Sequence, residues 1–335
     1  MEGLLIRARA RWIGEGEKPS KYFCNLENRH HISKKISSLI KEDGTEASSN
    51  DEIVKEVRAF YAKLFKSRED HIENVDLETK LNIDSPKLTA EEAILIEGKI
   101  TYEEASTVLK NMKNNKSPGS DGFTIEFFKF FWRDIGYFLI KSISHSFDSG
   151  HLSITQREGL ITCIPKPGKS KKQLKNWRPI TLLNISYKIV SGCIAQRIKS
   201  LLNKITSTDQ TGFLPGNFIG DNIRLLYDVL PEANEIKKKE IMILIDFEKA
   251  FDSIAWSFIT KSLKIFNFKD DIVRWVRLFD NQVKSRCIVN NTVSDWFILE
   301  RGCRQGDPIS PYLFLIASEI LASMTARTVI SKAIK

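Results

Sequence analysis

The chain has 335 residues, 42% hydrophobic and 10% aromatic, a globular composition with length for about two domains of ~150 residues. Its 51 Lys and Arg against 42 Asp and Glu give a net charge of +9. Ten of the bases lie between Gly159 and Thr208, where there is no acid, leaving 41 bases against 42 acids elsewhere. No apolar run approaches the ~18 residues of a membrane span, and the opening MEGLLIRARARW has the wrong order and length for a secretory signal. Five cysteines without a Cys-x-x-Cys pair argue against a disulfide framework or zinc ribbon and for a reducing compartment.

In chain order, Cys24 with His30 and His31 is the nearest approach to a metal cluster. No second ligand pair follows, so a solvent-facing helix is the plainer reading. The first ninety residues read as polar and helical, and Val54, Val57, Tyr61, Leu64 and Phe65 give one packing face at helical spacing. Thr89 before Glu92 and Thr101 before Glu104 each predict a reciprocal capping box at a helix start, close to a composition shift at Leu88. Lys116 to Gly122 is a turn cluster, and the aromatic stretch from Phe123 to Phe147 predicts a core helix or helix pair buried on most sides.

From Leu160 the segments shorten. Ile161 to Pro165 and Trp177 to Leu183 read as strands joined by a lysine-rich connection, and Ile185 to Ile205 as a helix carrying its bases away from its apolar positions. Asp209 and Asp221 read as loop caps or braces. Ile241 to Ile245 predicts a fully buried strand that ends at Asp246, with a helix soon after, capped by Asp252 or Ser253. Trp296 to Leu299 predicts a strand, Arg301 to Asp307 a glycine-containing loop, and Ser310-Pro311 a helix start.

Asp246 is the most informative position. A carboxylate after an unbroken apolar run belongs at the strand's open end, because burying it unpaired is costly. A helix N-cap is the plainer reading, and Phe251 five residues on places a ring beside whatever the carboxylate binds. Arg178, next to Pro179 in a strand, has the fork to grip phosphate oxygens, and Lys166 or Lys169 on the facing strand adds a point charge. Lys171, Lys172 and Lys175 suit a solvated loop or loose backbone contact. Gln305-Gly306 suits a close approach to a nucleotide, while alone it is an ordinary turn. Trp177 offers a stacking surface but sits as a core residue would.

Taken together these segments resemble the reverse transcriptases of LINE-type non-LTR retrotransposons. Ile243 to Ser253 is similar to the family's first palm motif, Ile164 to Lys169 and Asn176 to Asn184 to the paired fingers motifs, Asp209 to Phe213 to the segment between fingers and palm, and Arg301 to Pro311 to the next palm motif. Lys116 to Phe123 resembles the motif that opens the polymerase region, with Ser120 where Pro is usual, and Lys21-Tyr-Phe23 resembles the upstream linker. The motifs keep family order over nearly the whole chain.

The resemblance implies an α+β fold: a mainly helical extension over 1–88, then right-hand polymerase fingers and an incomplete palm over 89–335. It implies RNA-directed DNA synthesis from a DNA primer on an RNA template, with deoxynucleotides (dNTPs) and two Mg2+ ions about 4 Å apart. Asp246 would be the catalytic metal ligand, assisted by the backbone carbonyl of Phe247, and Phe251 the steric gate against ribonucleotides. Lys166, Arg178, Phe251, Gln305 and Gly306 would bind the dNTP, and Lys169, Lys188, Arg197 and Lys199 the nucleic-acid backbone. No membrane is implied, and a cytoplasmic and nuclear location is expected.

The family's Asp-Asp pair does not occur before Lys335, and Asp270-Asp271, which precedes the Gln-Gly loop, is rejected as its equivalent. The expectation is therefore a partial enzyme, inactive alone. The alternatives are a group II intron maturase-like enzyme and a catalytically dead RNA-binding remnant.

Overall fold

The computed structural model describes residues 35–67, 86–207, 210–214, 216–218, 220–224, 227–228 and 245–333, with side chains of the final helix described as far as 324. Cys24, His30, His31, Lys21 to Phe23, Asp209 and residues 241–244 of the expected buried strand lie outside them, and the last residue of that stretch, Ile245, is exposed and in no strand, contrary to expectation.

The fold is α+β. A short hairpin, β1 (Leu39–Ile40) and β2 (Glu46–Ala47), leads into α1 (Asn50–Phe65). Helices α2 (Ala90–Ile94), α3 (Tyr102–Asn111) and α4 (Ile125–Ser149) follow. Strands β3 (Glu158–Pro165) and β4 (Trp177–Leu183) precede α5 (Ile185–Ile205). After the site segment come α6 (Ala250–Ser253), α7 (Trp256–Ile265) and α8 (Asp270–Asp280), then β5 (Lys284–Val289), β6 (Thr292–Val293), β7 (Phe297–Ile298) and α9 (Ser310–Ala333). Among the described residues no helix is long and apolar enough to cross a membrane.

Strands β3 and β4 pair antiparallel, β5 joins β3 in parallel, and β6 and β7 return along β5. The return turn holds two residues, Asn290 and Asn291, at φ 49° and 65°. Two successive positive-φ residues suit the right-handed twist of a hairpin, and asparagine tolerates them best after glycine. That dipeptide was the available signal for a hairpin the sequence reading passed over.

Alternate residues of the sheet, Ile161, Cys163, Trp177, Cys287 and Val289, turn one face onto α1 and the N-terminal hairpin. Val57, Tyr61 and Phe65 of α1 are at most 1% exposed, and burial of each contributes roughly 1.5–3 kcal/mol. A second, larger core gathers α2 to α5 and α7 to α9. Both predicted capping boxes are present, and a third, Ser49 with Glu52, starts α1.

Four expectations need correction. Ahead of α1 the described residues form β1 and β2, strands that the helical reading of the first ninety residues did not include. The aromatic stretch forms one helix, α4, which buries Phe128, Trp132, Ile143 and Phe147 but leaves Phe130 79% and Phe138 69% exposed, because its neighbours cover one side only. Helix α5 is buried almost all round, Gly192 allowing the close approach of Val108 from α3, so it has no broad basic face. Lastly, Asp252 and Ser253 do not cap a helix. They lie inside α6, which starts after Lys249 at φ 51°, and α7 starts after Ala255.

Candidate active site

Three backbone contacts gather the site. The Thr181 N–H of β4, the outermost strand of the described sheet on this side, donates to the Gln305 carbonyl at 2.7 Å, Cys303 N–H donates to Phe251 O at 2.6 Å, and Gly302 N–H donates to Ile254 O at 2.8 Å. The 301–307 loop is thereby tied to the sheet edge on one side and to α6 on the other. Gly306 stands at φ 117°, where a Cβ would meet the Thr181 carbonyl at 2.5 Å, so this close approach requires glycine. Farther back, a Cβ on Gly119 would come within 2.5 Å of Asn184 N, and the one hydroxyl proton of Ser120 has Glu158 at 3.3 Å and Asn184 Oδ1 at 3.4 Å as acceptors. The serine that replaces the usual proline thus has partners of its own.

Between these segments lies a cavity of about 480 Å³. Asp246, Phe247, Phe251, Lys166, Arg178, Gln305 and Gly306, drawn from stretches far apart in sequence, all line it. Register explains the two bases: Arg178 pairs with Ile164 across the β3–β4 ladder, and Lys166 N–H donates to Asn176 O just beyond it. Arg178 is exposed and, among the described residues, has no ion-pair partner. Phe251 is stacked on Phe314 of α9, centroids 4.7 Å apart, with Phe213 edge-on at 6.2 Å. Trp177 lines the cavity wall at 1% exposure, its Nε1 donating to Lys171 O, and is core as expected.

The cavity also holds residues not expected at the site. Asp252 is 1% exposed and accepts from Gln305 Nε2 at 3.2 and 3.3 Å, one contact to each carboxylate oxygen. Burial pushes its carboxyl up to about 6, against the pull of Lys249, the Gln305 hydrogen bond and Lys166. Because an ionised carboxylate only accepts, it fixes the Gln305 NH2 toward itself and leaves Gln305 Oε1 as the free acceptor. Lys249 Nζ sits over the Phe60 ring of α1 at 4.1 Å, and burial lowers its ammonium below the ordinary lysine range, partly offset by Asp252. Arg304 and Asp307 form a buried wall, 3.7 Å apart, with Arg304 4.5 Å over the Tyr187 ring and Tyr187 donating its hydroxyl proton to Asp307. All lie within the motif segments, yet burial is a property no motif prints.

The four residues assigned to nucleic-acid backbone stand elsewhere, since none lines this cavity. Arg197 is engaged within the protein: its guanidinium grips Glu104 at 2.7 Å and the carbonyls of Ile96, Glu97, Gly98 and Lys99, a clamp between α5 and the α2–α3 connection. Lys188 is half-buried, and desolvation lowers its ammonium, against the pull of Asp307. Lys199 is half-buried on the same helix, and Lys169 is exposed in the β3–β4 connection.

Asp246 is an exposed carboxylate at the cavity mouth, suited to one ligand position on a divalent cation. Among the described residues no group of three Asp, Glu, His or Cys gathers around an ion site, and Asp252 is already held by Gln305. The described donors therefore do not fit a complete two-ion centre. Asp271 is no substitute, because it lies in the first turn of α8 and its Oδ2 accepts the Gly98 N–H.

Residues 164–332 match the family described as reverse transcriptase (RNA-dependent DNA polymerase). Over 95% of its length the chain is 32% identical to the Transposon TX1 uncharacterized 149 kDa protein of Xenopus laevis, of which it covers 24%. Over 67% it is 25% identical to the Retrovirus-related Pol polyprotein from type-1 retrotransposable element R2 of Popillia japonica, covering 31% of that protein. Over 45% it is 26% identical to the Probable RNA-directed DNA polymerase from transposon X-element of Drosophila melanogaster, covering 17%. The chain thus spans less than a third of the length of each of these relatives.

Proposed function

Because the chain belongs to the reverse transcriptase family, in its LINE-type non-LTR retrotransposon branch, we propose that it forms the nucleotide-binding part of an RNA-directed DNA polymerase. The observation that carries this reading is the convergence of seven residues, from segments as far apart as Lys166 and Gly306, on one cavity. We assign β3, β4 and their connection to the fingers, and the segment from Asp246 through α6 with the start of α9 to the palm. The extension 1–88 remains a separate assignment, although its residues 36–65 share a core with the sheet.

In this reading the triphosphate of a dNTP lies against Arg178 and Lys166, the former forking onto paired oxygens. Gln305 Oε1, turned outward by Asp252, accepts from a hydroxyl or N–H of the nucleotide, and Gly306 lets the backbone come close. Phe251, held between Phe213 and Phe314, occupies the position where a 2′-hydroxyl would clash. Family members use divalent metal ions, which stabilise the charge on the transferred phosphate. We assign magnesium to this role and Asp246, with the Phe247 carbonyl, to one ligand position.

Titration of the chain, bound to a primed RNA template, with a fluorescent dATP analogue tests the assignment. Arg178→Ala is expected to weaken binding about 10- to 100-fold, the loss of a charged hydrogen-bonding group. Phe251→Ala is expected to raise ATP binding relative to dATP. Wild-type behaviour in both variants would remove the nucleotide from this cavity.

A further inference from the structure

We propose that the groove between α7 and α8 is a second anion site, one that grips phosphodiester groups of a nucleic-acid strand outside the Asp246 cavity. The groove has a volume of about 620 Å³ and shares no lining residue with that cavity. Helix α7 contributes Ser257, Thr260, Lys261 and Lys264, and α8 contributes Arg274 and Arg277. On each helix the two cations are three residues apart and so share a face about one turn long. Four positive side chains therefore line a single groove.

Two of its four cations, Lys264 and Arg277, have no ion-pair partner among the described residues, whereas Lys63 and Lys172 elsewhere on the surface are paired with Glu42 and Glu46. Arg274 has the Asp148 carboxylate nearby, which Lys99 also holds at 2.6 Å. The one carboxylic acid in the lining, Asp280, has its ionised form disfavoured by burial, with Arg304 pulling the other way. Arg274 is fixed in advance: one N–H donates to the Asp148 carbonyl at 2.9 Å and the guanidinium lies 4.5 Å over the Phe147 ring, which leaves further donors on a rigid fork.

Such a pattern suits a repeating anion. Cations and hydroxyls on two helix faces match phosphate contacts, which position a strand without reading its bases. The choice of nucleic acid over other polyanions rests on the polymerase reading, while the charge geometry does not. Trp256 of the groove lining donates its Nε1 proton to Gly302 O, which ties the groove to the loop segment that carries Gln305.

The test is fluorescence anisotropy of the full 335-residue chain with labelled single-stranded RNA, an RNA–DNA hybrid and duplex DNA across a salt series. Lys264→Glu/Arg277→Glu is expected to lose at least tenfold in affinity for one or more of the three. The slope of log K against log salt should become shallower by about 1.4 to 1.8, the loss of two phosphate contacts. Lys55→Glu/Lys110→Glu, an equal charge change at other exposed positions, is expected to have a much smaller effect, with thermal melts showing both variants folded. Unchanged affinity and slope, equal loss in the control pair, failure of the wild type to bind any of the three, or displacement by polyglutamate as readily as by unlabelled RNA would each overturn the proposal. Fluorescent dATP titration of the same variant separates the two readings, since the Arg178 cavity is expected to be unaffected.

Discussion

At Asp252 two requirements oppose each other: its carboxylate must be ionised to admit only the NH2 of Gln305 and exclude the flipped amide, yet at 1% exposure it resists ionisation. Its folded value, raised to about 6 from 3.8, means that the native state binds a proton more tightly than the unfolded chain. This contribution therefore favours the native state at acid pH and is lost as pH rises from about 4 through 6. The difference corresponds to at most about 3 kcal/mol. Asp252→Asn is expected to flatten the stability profile between pH 4 and 6 in urea denaturation. It should also weaken discrimination by Gln305, because an amide partner accepts either orientation of the glutamine. From sequence alone Asp252 reads as a helix cap, since Asp ahead of an apolar run commonly is one. Only the fold of Gly302 and Gln305 over it reveals a buried acid.

The capping boxes of α2 and α3 were legible because each needs only a threonine and a glutamate three residues apart. Helix α5 was legible in extent and misread in role. Its apolar positions were visible, but which bases face water depends on the helices packed around it, and Arg197 faces Glu104 and four carbonyls. Arg197→Ala is thus expected to cost roughly 3 kcal/mol in chemical denaturation, the lower end for a buried pair because 32% of the Glu104 side chain stays exposed. Its affinity for RNA, measured by anisotropy on the folded variant, should stay within about twofold of wild type. A larger loss with intact stability would return Arg197 to the nucleic-acid face. The exposed rings of α4 make the same point from the other side: aromatic content predicts burial on average, and the packing partners decide the face.

For the molecule as a whole, the ten bases between Gly159 and Thr208 do not form one face. Lys172 and Lys204 pair with Glu46 and Glu92, Arg197 with Glu104, and only Lys166 and Arg178 line the Asp246 cavity. The donor set at Asp246 has its own consequence. Primer extension by the purified 335-residue chain, with magnesium and dNTPs, is expected to stay at the level of an Asp246→Ala control, because one open carboxylate does not organise two ions. Incorporation above that control would show that further ligands come from residues outside the described set. By itself the sequence determined the family, the order of the motifs and elements such as β3, β4, α5 and the start of α9, since these depend on local patterns, while β5, which joins β3 to β6 and β7, went unread. The tertiary structure decided the buried roles of Asp252, Lys249, Arg304 and Asp307, the diversion of Arg197 into a clamp and the basic groove between α7 and α8. Burial and ion pairing arise between residues distant in the chain, and no local pattern carries them.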